Sequence, residues 1–477
     1  MNQSNLPYTA LPAPLLLLFG GLVVLSLFTP NPGLTAVSIL VLPVFIRLLW
    51  RRGEPPVLLF AVSFQWTQVT AKVFHADYVG REVSAMAGKP YVELAIWLGL
   101  IGLLVLAVGI RLGMSRLGSP SMERVYRQVR RFSVDRVFIA YLIAVFLGGV
   151  VENYAWVISG LAQILLAAVA VKWVFFFLLG YLVLQRKEKR YYFAVAFFYE
   201  LIAGIGYFAG FKTVFFVAAI VVLAVRPRLN LRTGLLGTVM VALLLVLGAG
   251  WMTIRGEYRA YLNQGTGQQV VRVSRTQQLS KLVALSSEIR AEDLIGSTEL
   301  VFERLAYVNF FAAAMDYVPR RRPHEGGALW GKSIQHVLMP RLFFPDKPAL
   351  PSDSELTMQY TGMTLASGAQ GTSVSMGYMA ESYIDFGVYG MFVPVFLLGM
   401  LWGGMYYYLV SRARLAVVGY AFATALLIHA NQFEITSLKL VGGVGIKFIV
   451  LALLMRLAMP RLNEWMQQNP EIAKRAA

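Results

Sequence analysis

Apolar runs of about twenty residues, cut by short basic breaks, recur along nearly the whole chain, and no other feature restricts its fold as strongly. A helix needs about 20 mostly apolar residues to cross the hydrocarbon of a bilayer. Inside that layer each backbone amide must find its partner within its own segment, so repeated runs of this kind predict helices. Of 477 residues, 57% are hydrophobic and 14% charged, against about 25% charged in a soluble domain. A water-soluble core this apolar would leave too little polar surface to cover it. The expected fold class is an all-α polytopic membrane protein with about twelve transmembrane helices.

Charge then orients the spans. Lys and Arg number 43 against 25 Asp and Glu, a formal net charge of +18. In a soluble chain that balance would point to nucleic acid. Here the cations stand at the ends of apolar runs, which is the positive-inside pattern and argues against a nucleic-acid partner. Spans are expected at residues 11–28, 34–50, 57–74 and 91–110, with Arg47, Arg51 and Arg52 marking an inner end. The first run has no charged leader before it and reads as a retained helix. Seven arginines between 111 and 136 are cytoplasmic by the same rule. Spans at 137–151 and 155–184 form a hairpin with Glu152 and Asn153 at its outer tip, and QRKEKR at 185–190 is inside again. Residues 191–225 lie between two basic clusters, so parity requires two short helices with a tip near 204–212. A ninth span covers 233–252, and three more cover 386–410, 415–430 and 441–459.

The chain therefore divides into an N-terminal membrane bundle (1–252), a large loop on the far side of the membrane (253–385), C-terminal membrane helices (386–460) and a tail (461–477). Both termini are expected in the cytoplasm. The loop carries thirteen Lys and Arg against thirteen Asp and Glu, so the excess of positive charge lies wholly outside it. Leu300, Leu305, Val308, Phe311 and Met315 recur at helical spacing and predict an amphipathic helix over 297–317. Residues 276–290 read the same way. The Pro- and Gly-rich stretch 319–353 is expected to be irregular. Structured loops of this length usually carry function.

Several kinds of chemistry are excluded. There is no cysteine, hence no thiolate nucleophile, disulfide or thiolate metal site. No phosphate-binding loop, dinucleotide fingerprint or H-E-x-x-H helix is present. GGVGIK at 442–447 has the wrong spacing for a phosphate loop and reads as helix packing. Four histidines argue against a nitrogen-ligated metal. Asp353 and Glu355 have D-x-D spacing but read as solvated surface. What remains is a set of charges near the outer interface. Lys212 stands at the tip of the short hairpin, where Glu200 is its expected partner. Arg255 and Arg259 are four apart and share a helical face suited to clamping an anion. Arg304 reads as a loop salt bridge, and Arg320–Arg322 as a solvated run. Arg341 and Lys347 flank LFFPD, where aromatics and prolines would fix two cations. Glu381 and Asp385 approach the tenth span. A carboxylate partly desolvated there can act as a base, which suits Glu381, whereas Asp385 reads as a helix cap. His336 is a further candidate base.

Two segments carry a family likeness. GKSIQHVLMPRLFFPDKP (331–348) looks like a stretch ending in an aromatic and P-x-K-P, and TSVSMGYMAESYIDFGVYG (372–390) like an E-x-Y-x-x-F-G-x-x-G approach to the next span. With the late, single outer loop, the chain resembles the bacterial oligosaccharide repeat-unit polymerases of the Wzy type, which build O-antigen and exopolysaccharide. GFKT at 210–213 stands where that family often carries a Gly-Ser-Arg element. The resemblance implies a GT-C-like membrane glycosyltransferase of the bacterial inner membrane, with its large loop periplasmic. Its substrates would be undecaprenyl-pyrophosphate-linked oligosaccharides presented from membrane lipid. A chain-length regulator and a flippase are implied as partners. No cofactor is implied, and no metal, because fixed cations can hold the leaving pyrophosphate. On that reading Lys212, Arg255, Arg259, Arg304, Arg341 and Lys347 bind pyrophosphate and substrate, and Glu381 or His336 takes the acceptor proton. An O-antigen ligase-type glycan transferase and a multi-span transporter or flippase stay open as alternatives.

Overall fold

The computed structural model describes residues 11–467 apart from 87–89, 119, 158–160, 208–209, 227–230, 269, 340–343, 345, 347–350 and 366–372. Arg341 and Lys347 therefore lie outside the described residues. The first half forms α1 (Ala13–Ser26), α2 (Pro32–Leu49), α3 (Val57–Tyr78), α4 (Val92–Gly113), α5 (Met122–Arg130), α6 (Val134–Tyr154), α7 (Ala162–Val169), α8 (Val171–Arg186), α9 (Arg190–Ala203), α10 (Lys212–Val225) and α11 (Leu231–Leu262). The large loop contributes α12 (Arg275–Ser287), α13 (Ala291–Leu305), α14 (Val308–Tyr317), α15 (Ala328–Leu338), α16 (Asp353–Thr361) and α17 (Tyr378–Gly390). The end of the chain forms α18 (Phe392–Arg412), α19 (Ala416–Leu427), α20 (Gly445–Leu457) and α21 (Met459–Met466). A π-helical turn, Lys439–Val444, leads into α20. Among the described residues no strand forms, so the chain is an all-helical membrane protein.

Each of the twelve apolar runs is helical. Eight helical segments are long and apolar enough to cross a membrane by themselves, and α1, α10 and α19 are apolar but shorter. The interior is built on α4 and α18, which lie backbone against backbone. A Cβ on Gly109 would come within 2.4 Å of the Phe396 carbonyl oxygen, and one on Gly403 within 2.2 Å of that of Ile110. Glycine four residues apart on both helices, Gly109 with Gly113 and Gly399 with Gly403, makes this approach possible. Where no hydrophobic force draws helices together, such contact supplies the dispersion energy that does. α3 and α2 pack on α4, and α14 and α17 of the loop close over the pair.

The loop departs from expectation in three places. α11 continues ten residues past the expected boundary at 252, so Arg255 and Arg259 ride on its last turns. The single helix expected over 297–317 breaks at Ala306, whose backbone leaves the helical region, into α13 and α14. Within 319–353, residues 328–338 are helical, not irregular. Leu329, Trp330 and Ser333 turn inward there, and the Asp385 carboxylate accepts the amide protons of Leu329 (3.0 Å) and Trp330 (2.9 Å). Asp385 thus does cap a helix N-terminus, but that of α15 and not its own. The helix expected over 276–290 forms as α12, opened by a Ser274–Gln277 capping box, a motif whose serine is worth about 1 kcal/mol.

Candidate functional site

The polar centre of the molecule is organised by α3. Gln65, Gln68, Lys72 and His75 recur at spacings of three, four and three, which places them on one helical face. All four are buried, with Lys72 only 3% exposed. A cation in an apolar span must be paired or used. Lys72 meets Glu303 of α13 at 2.5 Å, and His75 stacks on Phe302, the residue before it. α3 thereby fixes the end of α13.

The two glutamines fix a second segment, residues 430–434, between α19 and the π-helical turn. Gln65 donates to the Ala430 carbonyl (2.8 Å) and accepts from the Tyr378 hydroxyl (2.7 Å). Gln68 accepts the Phe433 amide proton (2.7 Å) and donates to a Glu434 carboxylate oxygen (2.6 Å). Each amide is thus used at both ends, which locks its orientation. Glu434 is half-buried. Lys212 and Arg304 both act on it, yet burial dominates and holds its carboxyl above the usual carboxylate range. Tyr307 lies in the same field, and burial pushes its phenol up.

Lys212 arrives from the opposite side. Gly204 and Phe211 close the tight turn between α9 and α10, where a Cβ on Gly204 would sit 2.6 Å from the Phe211 backbone. α10 packs on α8 and touches α3 through Phe216, whose ring centroid lies 4.8 Å from Phe60 and 5.2 Å from Phe64. Lys212 is one turn before Phe216, and Gln68 one turn beyond Phe64, so the packing brings Lys212 to the level of Glu434. Its expected partner is elsewhere: Glu200 pairs with Lys172 at 3.0 Å and accepts from the Tyr141 hydroxyl.

Beside this centre stand three guanidinium groups. Arg255 and Arg259 project from α11, and Arg304 of α13 lies close enough to repel both. Arg259 is oriented by the Tyr207 carbonyl (3.1 Å) and ring (4.8 Å). The frame is rigid locally, because Ile254, Tyr258 and Leu262 of α11 form a small core with Leu285 of α12, and Thr253 bonds Ser297 of α13 at 2.8 Å. Among the described residues no carboxylate forms an ion pair with Arg255, Arg259, Arg304 or Lys212. Arg304 therefore makes no loop salt bridge, contrary to its sequence reading. Like charges gathered without a counter-ion on ordered helices are suited to receiving an anion.

The remaining candidates lie apart from this cluster. Glu381 is 1% exposed and accepts the Ser437 amide proton at 2.7 Å, ahead of the π-helical turn. Burial pushes its carboxyl up to about 7. It has no open face toward a ligand in this conformation. His336 is half-buried on α15, which packs on α17 and the π-helical turn. Arg320 pairs with Asp316 and Arg322 with Glu325, so that run is held within the loop. Asp353 bonds Lys439, and Ser352 with Glu355 caps α16. Among the described residues no group of acidic and histidine side chains could hold a metal ion.

Sequence reasoning missed the α3 stripe and Glu434. The stripe is visible in FQWTQVTAKVFHAD as polar residues at helical spacing inside an apolar run. Glu434 has no such signal, because only the fold of 430–434 against α3 brings it in. No curated protein and no solved structure matches the chain. Residues 96–458 match the family described as "Domain of unknown function (DUF8712)", a stretch holding Lys212, Arg255, Arg259, Arg304 and Glu434. With most of its length inside that match, the chain belongs to the DUF8712 family.

Proposed function

We propose that the protein polymerises lipid-linked oligosaccharide repeat units, transferring a glycan from a polyprenyl pyrophosphate donor to an acceptor sugar hydroxyl at the outer face of a bacterial inner membrane. The observation that carries this reading is the Arg255–Arg259–Arg304 cluster, which has no acidic partner among the described residues and stands beside Lys212 and Glu434. Breaking a glycosyl–phosphate bond places new negative charge on the leaving pyrophosphate. Cations fixed before the reaction stabilise that charge with little reorganisation. Lys212 adds a point charge close enough to act on Glu434, and Arg341 and Lys347 are further pyrophosphate-binding candidates in this reading.

The proposed topology has about twelve crossings with both termini cytoplasmic and α12–α17 in the periplasm. It follows from the basic breaks between apolar runs. The twelve-helix count and the periplasmic cap are features of a GT-C-like transferase. The donor and acceptor are both undecaprenyl-pyrophosphate-linked oligosaccharides drawn from the membrane. A flippase would supply them, and a chain-length regulator would set product length.

The test is chromosomal deletion followed by gel analysis of surface and carrier-linked glycan. Loss of long chains with persistence of single repeat units supports polymerisation. Long chains that remain on the carrier and never reach lipid A would assign a ligase instead. An unchanged glycan profile would sink the proposal and leave transport as the activity to test.

A further inference from the structure

Glu434 lies in the electrostatic field of both Lys212 and Arg304. Its carboxylate is also held in place by the buried Gln68 of α3. We infer that Glu434 is the group that takes the proton from the acceptor hydroxyl. This inference rests on the polymerisation reading above and specifies the residue that performs its proton transfer.

The geometry gives three reasons. Gln68, itself 2% exposed, donates to one carboxylate oxygen at 2.6 Å, and the same side chain accepts from the Phe433 amide, so the carboxylate cannot swing freely. Glu434 is half-buried, whereas Glu381 is sealed, so Glu434 keeps surface for an acceptor. Finally, it lies in the field of cations contributed by α10 and α13. A carboxylate that gains a proton while a pyrophosphate held by the neighbouring arginine cluster gains a negative charge leaves the site's net charge unchanged.

The step is a substitution at the anomeric carbon. The acceptor oxygen forms the new carbon–oxygen bond, and the old bond to the phosphate oxygen breaks. The electron pair leaves with the lipid pyrophosphate, held by Arg255, Arg259 and Arg304. The hydroxyl proton passes to Glu434 and then to water. Gln68 and Gln65 act through Glu434 as positioning residues. The charged and titratable groups facing Glu434 are Lys212 from α10, Arg304 from α13 and Tyr307 at the start of α14.

The test complements a deletion strain with full-length wild type, Glu434→Gln and Glu434→Asp, and compares glycan ladders at matched membrane abundance. Vesicles holding each protein are then supplied with repeat units extracted from the deletion strain, across pH. Glu434→Gln is expected to lose at least about 100-fold in chain elongation. Wild type should gain activity as pH rises through an acidic limb. That limb should be absent from residual Glu434→Gln activity and displaced in Glu434→Asp. Wild-type ladders from Glu434→Gln, or an acidic limb unmoved in both variants, would overturn the inference. Should Glu434→Gln fail to reach the membrane, the Glu434→Asp profile decides alone. Failure of wild type itself to restore polymer would instead overturn polymerisation, which separates the two conclusions.

Discussion

Two groups of charges in this protein are treated in opposite ways. In the membrane bundle, Lys172 and Glu200 pair at 3.0 Å with the Tyr141 hydroxyl, and Arg51 meets Glu54 at 3.2 Å beside Tyr406. Each of these two cations has its own anion. Around Glu434 the cations outnumber the carboxylates, and the three arginines face one another across α11 and α13. Closed pairs hold a fold together at no net charge. An open cluster of like charges repels itself, and that repulsion is relieved when something negative arrives. The contrast separates charges that stabilise from charges that wait for a ligand.

The largest effect should come from the open cluster. Arg304→Ala and Arg255→Ala are expected to lower polymer synthesis by about 10²–10³-fold while membrane abundance and the unfolding temperature stay near wild type. Equal loss of protein and product would place these arginines with the structural pairs. Breaking the closed group should do the reverse. Lys172→Met or Glu200→Gln alone should cost about 3–5 kcal/mol of stability, read as a lower unfolding temperature in detergent, with activity per folded molecule kept. Changing both together should restore most of that loss.

A smaller effect is expected from the frame between the two groups. Gly403→Ala forces a methyl group against the Ile110 carbonyl at 2.2 Å and should cost about 1–3 kcal/mol, again measured by thermal unfolding. The smallest effect concerns pH. Burial raises the folded-state pKa of Glu381 from 4.5 to about 7. Between those values the folded protein holds a proton that the unfolded chain releases, so stability falls as pH rises through that window. The unfolding temperature should therefore be lower at pH 8 than at pH 6, and Glu381→Gln should flatten the dependence. An unchanged slope in that variant would assign the pH effect to another group.

Much of the frame is legible in the sequence because apolar length and basic breaks act locally. Lys212 at a hairpin tip follows from parity between two basic clusters, and the shared face of Arg255 and Arg259 follows from their spacing. The partners are less legible. Nothing near Glu200 in the chain announces Lys172, twenty-eight residues earlier, because α6, α8 and α9 meet only after folding. Arg304 looked like a salt-bridge residue beside Glu303, yet Glu303 turns to Lys72 and leaves Arg304 with the other arginines. The α3 stripe is periodic and readable, but a run scored for hydrophobicity hides the polar residues that interrupt it. Glu434 depends on a connecting segment folding against α3, which no local pattern encodes.

α11 is the least enclosed of the long spans. Only 17% of its apolar window is buried, against 61% for α3 and for α4. The arginines at its end are thus carried on a post whose apolar flank is largely uncovered by the rest of the chain. A ligand with a long hydrocarbon tail can leave that tail in the bilayer and slide its head group sideways to the post, with no tunnel to thread. A side entrance of this kind would select for molecules already dissolved in the membrane before any sugar is read.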